Sequence, residues 1–126
     1  MKLSVDRQEK KGPFGGTYYE SKIKITLTEE EKEVADTIEL MKKLIFDPTD
    51  PGDRQVLHVL REGQVSVWDL TNGYGVTAKC DKEADLGSLA FVENKVREKC
   101  KYIKAKIDNY IAAKNALNEG GYEEEF

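Results

Sequence analysis

Apolar residues recur at steps of three, four or seven in the last third of the chain: Leu89, Val92, Val96, Cys100, Ile103, Ile107, Tyr110 and Leu117. That period predicts one long amphipathic helix over 88–117, with no proline and no glycine after Gly87. A helix of about thirty residues spans roughly 45 Å. A compact domain of this size is only about 36 Å across. The helix is therefore expected to overhang its own domain, to bend near Asn94 or Asn109, or to meet a second copy.

Toward the N-terminus the period changes from helical to two. Residues 2–10 read as a strand with Leu3, Val5 and Arg7 on one face. Residues 17–27 alternate most cleanly, with Tyr19, Ile23, Ile25 and Leu27 opposite Tyr18, Glu20, Lys22, Lys24 and Thr26. Gly12-Pro13-Phe14-Gly15-Gly16 joins them as a hairpin loop. Thr28 through Glu31 fits a capping box, and Val34, Ile38, Met41 and Ile45 extend it into a helix over 28–45. Two prolines and a glycine, Pro48, Pro51 and Gly52, stop that helix and predict a loosely ordered loop. Residues 56–60 and 64–70 then read as a second hairpin turning at Glu62-Gly63, with Asp69–Asn72 equally open to a helical turn. Asn72-Gly73 turns into a further strand over 74–80. The fold class expected is α+β: an antiparallel β-sheet with one short helix and a long C-terminal helical arm, in a single domain 1–126. The acidic segment 119–126 reads as a solvated tail, with Tyr122 and Phe126 able to dock back.

Composition narrows the classes. With 126 residues, 39% hydrophobic and 35% charged, the chain is sized for one polar-surfaced globular domain. No apolar run approaches 18 residues, so neither a membrane span nor a signal peptide is read. Cys80 and Cys100 are too few and too far apart for a disulfide framework or a metal knuckle, and a reducing cytoplasm follows. A formal net charge of −4 argues against sequence-independent binding of long nucleic acid. It leaves room for a local cationic pocket.

Catalytic chemistry finds no support. The single histidine, His58, falls in a predicted strand without a nucleophile or orienting partner. HExxH, CxxC, EF-hand, P-loop and GxGxxG patterns do not occur. No enzyme activity, metal or cofactor is expected. Anion binding fits better, because phosphates take guanidinium and ammonium donors and a nucleobase takes an aromatic face. Residues of those types give the candidate ligand set Arg7, Lys10, Phe14, Trp68, Tyr74, Arg97 and Lys101. Each has a plainer reading beside it. Trp68 serves equally as a packing anchor, and lysines beside an apolar stripe solvate a helix and cover its rim with their stems.

The segment Arg7-Gln8-Glu9-Lys10-Lys11-Gly12-Pro13-Phe14-Gly15-Gly16-Thr17-Tyr18-Tyr19-Glu20 resembles the N-terminal hairpin of small proteins from phages and mobile elements. With Val67-Trp68-Asp69-Leu70 and the long C-terminal arm, the layout is similar to the first family of Thoeris anti-defence proteins. That resemblance implies a non-enzymatic sponge: a homodimer or larger assembly that sequesters the cyclic ADP-ribose signal of bacterial TIR proteins without cleaving it. Some members also take up cyclic oligonucleotides. It implies action in the cytoplasm of an infected bacterial cell, and it transfers no ligand-contacting residue to this chain. The alternatives are an acidic protein-binding inhibitor of a host defence enzyme and an oligomerising module without a ligand.

Overall fold

The computed structural model describes all 126 residues. Three strands, β1 (Lys2–Lys11), β2 (Thr17–Thr26) and β3 (Val76–Cys80), form one antiparallel sheet in the order β1-β2-β3. Four α-helices accompany them: α1 (Glu29–Thr37), α2 (Pro51–Leu60), α3 (Val67–Thr71) and α4 (Leu86–Glu119). The α+β class holds. Two of the intervening elements differ in kind from the sequence expectation.

The first hairpin forms where expected. Gly12 N–H donates to the Gly16 carbonyl at 2.6 Å, and Gly15 takes a φ of 84° inside that loop. The α1 capping box is complete, with Thr28 Oγ1 accepting from Glu31 N–H at 3.1 Å and the Glu31 carboxylate accepting from Thr28 N–H at 2.9 Å. The helix stops at Thr37 instead of reaching residue 45, because Glu39 turns left-handed at φ 57°. The released segment runs alongside residues 65–68: Ile45 N–H donates to Val65, while Val67 and Trp68 donate back to Lys43 and Met41 at 2.9 Å each. Leu40, Ile45 and Phe46 thereby reach the core without being helical.

The loop expected to be loosely ordered starts a helix. Asp50 caps α2 by accepting from Asp53 N–H at 2.9 Å, and Pro51 occupies the first turn, where its missing N–H costs nothing. The predicted hairpin over 56–60 and 64–70 is thus two helices. Val56, Leu57, Val59 and Leu60 satisfy a helical face as readily as a strand, and the cap decides. His58 points outward from α2 as an exposed residue. Ser66 and Asp69 cap α3 reciprocally, realising the helical turn left open for that stretch.

One face of the sheet carries the core. Ile23, Ile25 and Ala78 pack with Val56, Leu60, Val67 and Leu70 and with Leu89, Val92, Val96, Ile103 and Ile107 of α4. The helix is a single 34-residue element, about 51 Å long at 1.5 Å per residue. Its last buried side chain is Ile107; Tyr110 and Ile111 are half-buried, and every residue beyond them is exposed. The arm overhangs the domain, unbroken at Asn94 and Asn109. Tyr122 and Phe126 stand in solvent and do not fold back onto the body. No helix is long and apolar enough to cross a membrane.

Candidate functional site

Strand alternation sorts every sheet residue onto one of two faces. The register pairs Lys2 with Thr26, Ser4 with Lys24, Asp6 with Lys22, Gln8 with Glu20 and Lys10 with Tyr18. Across β3 it pairs Glu20 with Lys79 and Lys22 with Thr77. These residues share the face away from the core. No helix covers them: Lys2, Asp6, Gln8, Lys22, Lys24, Thr26 and Lys79 are all exposed. The open face therefore holds five lysines against two carboxylates, Asp6 and Glu20. In a chain of net charge −4, that concentrates positive charge on a single surface.

Glu20 is the exception to exposure, buried beneath its neighbours. Lys10 Nζ approaches it to 2.7 Å and Lys22 Nζ to 3.9 Å. The Lys10 ammonium beside it holds the Glu20 carboxyl below its usual range, and the lysine is raised in return. Lys10 is thus partly neutralised within the sheet. Lys2, Lys24 and Lys79 form no ion pair. Their charge is available to an incoming anion. Lys79 also lies 5.9 Å from the Tyr18 ring centroid, within cation–π range.

Tyr74 reaches this face through a glycine that tolerates no substitution. Gly75 has φ 69°, and a Cβ there would fall within 3 Å of the Ile23 carbonyl and the Lys24 side chain. The turn before it is held by Asn72 Oδ1, which accepts from Tyr74 N–H at 2.7 Å and Gly75 N–H at 3.1 Å. The close approach sets Tyr74, 90% exposed, at a concavity of about 310 Å³ shared with Ser4, Asp6, Lys22 and Lys24. At the free edge of β3, Thr77 and Lys79 contribute to a second concavity of about 440 Å³ with Arg61 and Gln64. The face thus offers ammonium groups, a hydroxyl and the Tyr74 ring at one concavity, with Tyr18 about 20 Å away along β2.

The structure disperses the rest of the sequence-derived set. Arg7 lies on the core side of β1, where its Nε donates to both Glu93 oxygens at 3.0 Å. Ser21 Oγ donates to the same buried carboxylate at 2.8 Å. Hydrogen bonding from Arg7 is the chief reason the Glu93 carboxyl sits below its usual range, and Arg7 is raised in turn. This pair lines a groove of about 360 Å³ with Tyr19, Leu86 and Leu89. The arginine expected to meet phosphate is already engaged by a carboxylate of its own chain. Arg97 and Lys101 lie on α4, the helix that packs against the core side, and Arg97 Nη1 donates to Asn94 Oδ1 at 2.6 Å. Phe14 is fully exposed in the hairpin loop, and Trp68 is 56% exposed on α3.

Lys10 and Tyr74 are thus the two members of that set brought onto the open face. Lys2, Tyr18, Lys22, Lys24 and Lys79 join them. Four of those five occupy the polar half of the β1 and β2 alternation, a pattern visible in the sequence. Lys79 depends on the pairing of β3 with β2, which local spacing does not encode. No group of three or more His, Cys, Asp or Glu side chains is placed to hold a metal ion. Comparison with protein-family models, with curated proteins and with solved structures finds no match to this chain.

Proposed function

We propose that this chain is a binding protein that captures and withholds a small anionic nucleotide, of the cyclic ADP-ribose kind, on the open face of its sheet. The observation that carries this reading is the gathering of five lysines with Tyr18 and Tyr74 on one helix-free surface of an acidic chain. Lys24 and Lys2, diagonal neighbours across β1 and β2 and both free of ion pairs, neutralise the phosphates. Tyr74, at the same concavity as Lys24, offers a flat face to the base. Capture without turnover requires affinity and no reacting group. A nanomolar complex corresponds to about 12 kcal/mol, within reach of a doubly charged ligand held by several ammonium groups and a stacked ring.

Isothermal titration with cyclic ADP-ribose isomers tests this, followed by heat denaturation and chromatography of the released ligand. The expected result is saturable binding and intact recovery. Combining Lys2→Glu with Lys24→Glu is expected to weaken capture by about 100-fold or more, a tenfold loss for each ~1.4 kcal/mol, while leaving the melting temperature nearly unchanged. Absence of binding, or recovery of a hydrolysed product, overturns the proposal.

A further inference from the structure

We infer that the open sheet face also receives the C-terminal segment Gly120–Phe126 of a second copy of this chain, in a reciprocal exchange of arms. The segment reads Gly-Gly-Tyr-Glu-Glu-Glu-Phe, following directly on Glu119. It presents carboxylates flanked by aromatic rings, the counterpart of a surface made from lysines flanked by tyrosines. Both members are free to meet. Tyr122 and Phe126 are exposed, residues 112–126 have no buried side chain, and Lys2, Lys24 and Lys79 have no ion-pair partner. Gly120, at φ 84°, ends α4 and gives the segment a departure point separate from the helix axis.

The segment does not lie on its own sheet, since Tyr122 and Phe126 stand in solvent. From Ile111, the last side chain packed against the core, to Glu119 is about 12 Å of helix pointing away from the body. Seven extended residues cover at most about 25 Å. The segment would have to return along the arm and then cross a sheet layer roughly 10 Å deep, because α4 packs on the face opposite the lysines. That path of some 22 Å leaves only about one residue of the segment to lie along the lysines. A neighbouring copy has no such constraint, since the overhanging arm delivers the segment directly outward. Reciprocal donation closes the contact as a two-fold pair. It also sets association in competition with any anion bound on the same face.

Sedimentation velocity of the full chain from about 5 to 500 μM tests the exchange. The expected result is a reversible dimer. The chain ending at Glu119 keeps every buried residue, so it is expected to melt at the same temperature and to sediment as a monomer. Glu123→Lys, Glu124→Lys and Glu125→Lys together are expected to give a monomer. Adding Lys2→Glu and Lys24→Glu, at two lysines with no carboxylate partner, to that variant restores the dimer by reversing both sides of the contact. A full chain that stays monomeric, a truncated chain that dimerises as well as the full one, or a failed restoration each overturns the inference. Nucleotide titration of the chain ending at Glu119 keeps the two proposals separable: capture persists there if only the exchange is wrong.

Discussion

Replacing Glu93 by glutamine removes one buried charge while preserving shape. In the native chain that carboxylate accepts from Ser21 Oγ at 2.8 Å and from Arg7 Nε at 3.0 Å. Hydrogen bonds to a charged group contribute about 1.5–3 kcal/mol, against about 0.5–1.5 for neutral pairs. Arg7 adds the smaller share, because its side chain is 70% exposed and water screens the pair. Ser21 is fully buried and its bond is not screened. The expected loss for Glu93→Gln is about 1–2 kcal/mol at pH 7, or a fall in Tm of ~3–8 °C for a chain of this length. The sign with pH follows from the direction of the shift. Folding holds the Glu93 carboxyl below its usual range, so its contribution is complete above the unfolded value of about 4.3 and disappears as pH falls through the folded value. Urea unfolding of both proteins at pH 7 and at pH 3 measures this. The stability gap is expected at pH 7 and should narrow at pH 3. Equal stabilities at pH 7, or a gap of the same size at both, would refute the reasoning.

Gly75→Ala is expected to cost at least about 2 kcal/mol, because φ 69° and the Ile23 carbonyl both exclude a Cβ. Thermal unfolding reads the cost, and unchanged stability would contradict the close approach. Ile103→Ala should lose about 2–5 kcal/mol, whereas Leu117→Ala, on the overhanging end of α4, should change the monomer by less than about 0.5 kcal/mol. Denaturant melts of the chain ending at Glu119, with and without each substitution, separate the two.

Long-period features were readable from the sequence alone. The α4 stripe from Leu89 to Ile107 and the alternation of β2 are both strong enough to set their elements before any tertiary contact is considered. The α1 capping box was also legible, although the helix end was not. Met41 and Ile45 continue the helical spacing, but they reach the core from an extended segment bonded to residues 65–68. Only the tertiary partner distinguishes the two cases. For residues 56–60 the window was too short to separate periods of two and 3.6. The deciding signal is Asp50-Pro51, a capping residue followed by a first-turn proline, a pair that starts one helix as readily as it stops another.

The candidate site was legible by residue type more than by position. Seeking cations beside aromatic residues picks out Lys10 and Tyr74, which the sheet places on the same open face but near its opposite ends. Local spacing does not encode the engagement of Arg7 by Glu93, 86 positions away along the chain. A buried carboxylate on the α4 stripe was the overlooked signal. Glu93 lies between Val92 and Val96 on a helix whose neighbouring positions face the sheet, and a charge there requires a partner.

The most direct measurement is an amide chemical-shift titration of the chain with cyclic ADP-ribose. The account predicts saturable shifts concentrated at Lys2, Ser4, Asp6, Lys22, Lys24 and Tyr74, with α4 between Arg97 and Lys101 largely unmoved. Shifts confined to that stretch of α4, or a spectrum that does not respond at all, would contradict it.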